Sequence, residues 1–255
     1  DAGVKNVKRV EVPSSWASAL EGPASQDNRP EFIKNVVEVM NAQKGDRLPV
    51  SAFVGREDGT FPQGTSKYEK RGIAVDVPQW QAENCIQCNQ CAYVCPHAVI
   101  RPFLLTEQEK NAAPEGLKTI KGMKPYDSLE YKIQVSVMDC TGCGSCAHVC
   151  PAKQKALIMK PIESQMHETV NWEYLTEKVT VKPNPMNTGS VKGSQFQLPY
   201  FEFSGACAGC GETPYAKLLT QLYGDRMTIA NATGCSSIWG ASAPATPYTT
   251  DKNGC

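Results

Sequence analysis

The chain has 255 residues, enough for one large domain or two to three small ones. Its 26 basic and 26 acidic side chains cancel, which leaves no electrostatic footprint for nucleic acid or an anionic membrane. Apolar residues make up 41% and support a folded core, Gly and Pro are frequent enough to announce many loops, and 12 cysteines are too sparse for a disulfide scaffold of this length.

The opening stretch from Asp1 to Val10 is polar, and no apolar run approaches the roughly 18 residues of a membrane span. Reduced thiols and a cytoplasmic location are therefore expected. Residue 1 is not Met and the chain stops on Cys255 without a closing motif, so a segment of a longer polypeptide is expected. Val10 and Val12 suggest the end of a strand, and Pro13 to Pro23 reads as loop. A helix is predicted from Pro30 to Lys44, with Pro30 in the first turn, Glu31 favouring the N-terminal dipole and Gly45 at C′. Phe32, Ile33, Val36, Val37 and Met40 make its apolar face. An extended run is predicted at Leu48–Phe53 and turns from Glu57 to Gly64.

Eight cysteines then fall into two copies of one spacing. Cys85, Cys88, Cys91 and Cys95 precede Pro96; Cys140, Cys143, Cys146 and Cys150 precede Pro151. This C-x2-C-x2-C-x3-C-P run is that of a two-cluster bacterial-type ferredoxin. Three cysteines on a wrapped loop reach three corners of a cubane, and the fourth points to the other cube. Cys85, Cys88, Cys91 and Cys150 are thus assigned to one [4Fe–4S] centre, and Cys95, Cys140, Cys143 and Cys146 to the second. Zinc needs only four ligands per site and has no use for this spacing. His97 and His148 sit in the loops; with both cubes satisfied by cysteine, they are read as packing groups or donors to cluster sulfur rather than ligands.

Strand-like alternation at Gly72–Val77 and Ala98–Phe103 brackets the first loop, and at Tyr131–Val137 and Ala156–Met159 the second. The strand–loop–strand unit therefore occurs twice. Between the copies lies an insertion, 104–130, charged and punctuated by Pro114, Gly116, Gly122 and Pro125, with a helix expected at Thr106–Ala112. Lys182–Ser194 has linker composition.

A third cysteine set follows. Cys207 and Cys210 flank a turn before a helix predicted at Tyr215–Tyr223, with Thr213 as N-cap, Pro214 at N1 and Gly224 at C′. Met227–Asn231 reads as a buried strand leading to Cys235. Cys207, Cys210 and Cys235 are one thiolate short of a cubane. The fourth is Cys255 or a residue outside the chain, unless the three are ordinary cysteines. The helix start beside Gly209 and Gly211 suits an anion, and Gly234 and Ser236 stand where α/β folds place cofactors.

Tyr68–Gly72 with Glu69-Lys70-Arg71 at its centre, Cys85–His97, Ile100–Phe103, Cys207–Tyr215 and Thr233–Trp239 together resemble pyruvate:ferredoxin (flavodoxin) oxidoreductase, over nearly the whole chain. The resemblance is to the enzyme's middle. It implies an α+β organisation: the tail of a preceding domain at 1–25, a small linking domain at 26–66, the ferredoxin domain at 67–181, and the start of an α/β thiamine-diphosphate domain at 182–255. It implies that Cys207, Cys210 and Cys235 hold a third [4Fe–4S] cluster whose fourth cysteine lies downstream, and that Glu212 contacts the thiamine region. The magnesium- and diphosphate-binding stretch, and the residues for pyruvate and thiamine activation, have no counterpart here.

The implied reaction is oxidative decarboxylation of pyruvate with coenzyme A to acetyl-CoA and CO2, with electrons passed to ferredoxin or flavodoxin. Thiamine diphosphate, Mg2+, the remaining domains and a homodimer belong to the full-length enzyme; this chain alone is expected not to turn over pyruvate. A stand-alone iron–sulfur electron-transfer subunit and a zinc-binding interaction module are the competing readings.

Overall fold

The computed structural model describes residues 2–18, 28–242, 245–251 and 254. Helix α1 (Ala2–Lys5) and helix α2 (Glu38–Asn41), which continues a π turn at Ile33–Val37, precede the first strand. Strand β1 (Asp76–Trp80) enters the first cysteine loop, α3 (Gln90–Tyr93) lies within it and β2 (Ile100–Leu105) leaves it. The insertion contributes α4 (Glu107–Asn111) and β3 (Ile120–Lys121). Strand β4 (Glu130–Val135), α5 (Ser145–Val149) and β5 (Leu157–Pro161) repeat the pattern around the second loop. Then come α6 (Glu168–Glu177), α7 (Val191–Ser194), α8 (Thr213–Tyr223) and α9 (Cys235–Ser237).

The two halves are laced together. β1 runs antiparallel to β5, with Val77 opposite Lys160, and β2 antiparallel to β4, with Ile100 opposite Val135. Each half's entering strand therefore pairs with the other half's leaving strand. β3 adds to the far side of β4. Pro102 is tolerated because β2 is an edge, where a missing N–H breaks no ladder. One core joins Val77, Tyr131, Ile133, Val135 and Leu157 to the thiol-bearing Cys95, Cys140 and Cys146. Truncating Ile133 or Leu157 to Ala costs about 2–5 kcal/mol. Helix α6 closes another side: Trp172 joins that core, and Leu175 packs with Leu105 and Val179.

Several expectations are corrected. The helix predicted to Lys44 ends at Asn41, because Gln43 takes the left-handed position (φ 55°) and Lys44 N–H closes back on Val39 O, so Gly45 is not the terminator. Leu48–Phe53 is not extended: Pro49 leads into a 3-10 turn at Val50–Phe53, with Val50 91% exposed and no strand beside it among the described residues. Val10 and Val12 are exposed and unpaired in strand terms. Only Asp76 and Val77 of the predicted Gly72–Val77 strand fall in β1; residues 72–75 lie outside it, with Gly72 at φ 58°. Met227–Asn231 is neither strand nor buried; a buried strand needs neighbours on its edges, and none pairs with it among the described residues. In α8, Glu212 rather than Thr213 stands before the first helical residue. Lys182–Ser194 is no free linker. Asn184 donates to Gly193 O at 2.8 Å, Asn89 to Lys192 O at 2.9 Å, and Ser190 caps α7.

Candidate iron–sulfur centres

Each loop wraps through left-handed positions at matching places. Gln87 and Gly142 have φ of 55° and 69°; Asn89 and Gly144, which open α3 and α5, have 60° and 74°. These kinks turn successive thiols inward. In the first loop the side chains also anchor their surroundings. Gln87 Nε2 donates to Lys121 O at 2.7 Å and its Oε1 accepts from Met123 N–H at 2.8 Å, while Tyr131 O–H donates to Asn89 Oδ1 at 2.7 Å.

The eight thiols gather on two small cavities. Cys85, Cys88 and Cys91 line one with Cys150 from the opposite loop; Cys140, Cys143 and Cys146 line the other with Cys95. Among the described residues no three His, Cys, Asp or Glu side chains converge on one ion. Backbone N–H groups already aim at sulfur: Gly142 N–H donates to Cys140 Sγ and Ala156 N–H to Cys150 Sγ, both at 3.4 Å. Trp80 Nε1 and His97 Nε2 are buried without hydrogen-bond partners, and the two residues line one cavity each. Donor set and orphaned polar atoms fit a [4Fe–4S] group in each place.

Burial pushes the Cys140 thiol up to about 12, with the Cys95 and Cys143 charges adding and the Gly142 amide opposing. Burial raises Cys85, Cys91 and Cys146 as well. The like-charge contributions follow the cavities: Cys150 acts on Cys85 and Cys91, and Cys95 on Cys140 and Cys146. Cys91 also acts on Cys146, so the two sets are neighbours. Such thiols ionise by binding metal.

His97 is buried and its Nδ1–H donates to Ser204 O at 3.1 Å; burial lowers its pKa, against the Ser204 and Cys207 carbonyls. His148 departs from expectation: it is exposed on α5.

Cys207 and Cys210 share a turn, Cys210 N–H donating to Cys207 O at 3.0 Å. Burial raises the Cys210 thiol, but the amides of Thr213 and Glu212 at the start of α8 outweigh it and the net shift is downward, toward thiolate. This turn abuts the second loop: a Cβ on Gly209 would sit 3.6 Å from Cys143 Cβ. Cys235 is exposed on a separate element, α9. Cys255 lies outside the described residues. Glu212 and Gly234 are exposed, and Ser236 Oγ donates to Ala232 O at 3.2 Å. These three do not by themselves build a cradle for a diphosphate and its cation.

The Glu69-Lys70-Arg71 motif clasps the same region. Lys70 Nζ pairs with Asp139 Oδ2 at 2.5 Å, next to Cys140, and Gly72 N–H donates to Met138 O at 2.8 Å. Arg71 pairs with Glu69 and reaches Ser204 O at 3.5 Å, three residues before Cys207. The sequence reading missed Lys217 of α8, whose buried Nζ donates to the carbonyls of Ala92, Tyr93 and Cys95.

Two laced cysteine loops on crossed antiparallel strands define a dicluster iron–sulfur segment, and residues 84–154 match the family described as a 4Fe-4S dicluster domain. Residues 20–74 match the EKR family, a domain of unknown function. The chain as a whole is similar to pyruvate-flavodoxin oxidoreductase of Enterobacter agglomerans, 57% identical over 100% of this chain and 22% of that protein. It is also 56% identical to the pyruvate-flavodoxin oxidoreductase of Klebsiella pneumoniae and 56% identical to the pyruvate:ferredoxin oxidoreductase of Moorella thermoacetica, each again over 100% of this chain and 22% of the relative. The chain thus spans about a fifth of the length of these relatives. No helix among the described residues is long and apolar enough to cross a membrane.

Proposed function

We propose that this chain is the electron-relay segment of a cytoplasmic 2-oxoacid oxidoreductase that decarboxylates pyruvate with coenzyme A and delivers electrons to ferredoxin or flavodoxin. Cys85, Cys88, Cys91 and Cys150 hold one [4Fe–4S] centre, and Cys95, Cys140, Cys143 and Cys146 the other. A bound cubane supplies one-electron exchange, which splits the two electrons of a decarboxylation into single steps. The protein's share is to bury Cys95, Cys140 and Cys146, fix all eight thiols in two crossed sets and keep the sets adjacent. The single observation that carries this reading is the three-plus-one division of the thiols between two cavities.

Contacts also support a spatial order. The Cys207–Cys210 turn meets the loop carrying Cys143, and Cys91 neighbours Cys146. The third thiol set is therefore nearest the Cys95-containing centre, and the Cys85-containing centre is the outer one. Cys207, Cys210 and Cys235 are assigned to the third cluster, and Glu212, Gly234 and Ser236 to the thiamine-diphosphate neighbourhood; thiamine diphosphate and Mg2+ themselves are assigned to the longer enzyme.

Anaerobically prepared protein is expected to contain about eight iron and eight sulfide for the two cubanes. Cys150→Ser is expected to alter the EPR signal of the Cys85-containing centre and spare the other. Stoichiometric zinc without sulfide, or a Cys150→Ser spectrum in which only the Cys140-containing centre changes, overturns the assignment.

A further inference from the structure

Lys217 is 2% exposed, and each of its three Nζ hydrogen bonds goes to a main-chain carbonyl: Ala92, Tyr93 at 3.1 Å and Cys95 at 3.2 Å. None of these acceptors carries a formal charge. A cation buried among dipoles alone is held at a large desolvation cost unless an anion lies within reach. The carbonyls it binds run from Ala92 to Cys95, directly after Cys91, so Lys217 sits between one thiol of each set.

The position follows from the fold. Helix α8 starts at the Cys207–Cys210 turn and lays Thr213, Lys217, Thr220 and Gln221 inward. Lys217 thereby reaches across to the end of α3, where the chain passes from Cys91 to Cys95. That crossing point is the boundary between the two cavities. A cubane with four thiolates is anionic, and reduction adds one more negative charge. A fixed positive charge in a low-dielectric interior favours the more negative state.

We propose that Lys217 is the buried counter-charge shared by the two iron–sulfur centres, and that it holds their reduction potentials up. This rests on the cluster assignment above. Its effect is greatest on the Cys95-containing centre, whose ligand carbonyl it binds directly. Lys217 is a tuning residue that acts through the centres and touches no substrate. A purely mechanical role, capping the end of α3, predicts the same hydrogen bonds but no dependence of potential on charge.

The test uses the full-length anaerobic enzyme with Lys217→Met, Lys217→Gln and Lys217→Arg. Iron and sulfide are counted first, and midpoints are then read by EPR-monitored redox titration. In Lys217→Met and Lys217→Gln the reduced-to-oxidised ratio of the Cys95-containing centre, at the wild-type midpoint, is expected to fall at least tenfold, a shift of 59 mV for one electron. The Cys85-containing centre shifts in the same direction by less, and Lys217→Arg stays near wild type. Neutral variants with full iron content and unmoved midpoints overturn the proposal. Should neither neutral variant assemble clusters, assembly in Lys217→Arg supports a charge requirement, and its failure there too overturns it. Wild-type protein without iron and sulfide overturns the cluster assignment itself, which the initial count detects separately.

Discussion

Gly142 and Gly144 both need a left-handed backbone, yet they differ in what surrounds them. A Cβ on Gly142 would meet Asp76 O at 2.9 Å and Ala74 Cβ at 3.1 Å, whereas nothing lies within 4 Å of one on Gly144. Gly144→Ala is therefore expected to cost only the left-handed penalty, about 1–2 kcal/mol. Gly142→Ala adds displacement of the β1 backbone from the loop that carries Cys140 and Cys143. Its iron should be stripped faster by a chelator than that of Gly144→Ala; equal rates would contradict the packing account. At the corresponding places Gln87 and Asn89 bear the same strain and use their side chains to secure Lys121, Met123, Lys192 and Tyr131. Nothing in the spacing of the cysteines announces that. Lys217 was equally hidden. The usual rule puts apolar residues inward, and α8 reverses it, with Tyr215, Leu219 and Tyr223 outward and Thr213, Lys217 and Thr220 buried.

Helix α4 lies within the helix expected at Thr106–Ala112, and its capping chemistry emerged only in the fold. Thr106 and Glu109 form a capping box, Glu109 N–H donating to Thr106 Oγ1 at 3.2 Å and Thr106 N–H to Glu109 Oε2 at 2.8 Å. Glu109 also accepts from Lys182 Nζ at 2.7 Å and from Thr180 N–H at 3.0 Å, which fastens the segment after α6 to the insertion. Thr106→Ala is expected to lower stability by about 1 kcal/mol, read as a lower urea midpoint at constant slope. Glu109→Gln should lose more, because it loosens two elements. Burial would raise the Glu109 carboxyl, but Lys182, Thr106 and Thr180 prevail and hold it at about 2, below the ordinary 4.5. Its contribution is therefore complete above pH 4.5 and fades as pH falls toward 2. Glu109→Gln should abolish that acid dependence, and an unchanged acid profile would refute the role. Three of the four strands around the loops were also legible within one or two residues, whereas the first begins four residues after the predicted start, at Asp76. The failures share one cause. Leu48–Phe53 and Met227–Asn231 have strand composition, but a strand exists only where another strand accepts its hydrogen bonds, and sequence does not say where that partner is.

At the scale of the molecule, eight ionisable sulfurs sit in or beside the main core. In the iron-free chain the fold holds Cys140 as the neutral thiol, raised from 9.0 to about 12. Its favourable contribution is whole below pH 9.0, and is lost as pH climbs toward 12, because the unfolded chain releases that proton first. Iron-free protein should therefore lose stability upward from about pH 9, and Cys140→Ser should lessen the loss. Equal alkaline slopes in the two proteins would contradict the assigned burial. With iron bound the sulfur is already a thiolate and this limb should vanish.

The lacing of the two halves also sets a timetable for synthesis. The first loop leaves the ribosome with three of its sulfurs but must wait for Cys150, while Cys95 waits for Cys140, Cys143 and Cys146. On the proposed ligation, both metal sites are completed only once the second loop, which follows β4, has been made. On that ligation, a nascent chain halted inside the insertion would carry Cys85, Cys88, Cys91 and Cys95 with neither site complete.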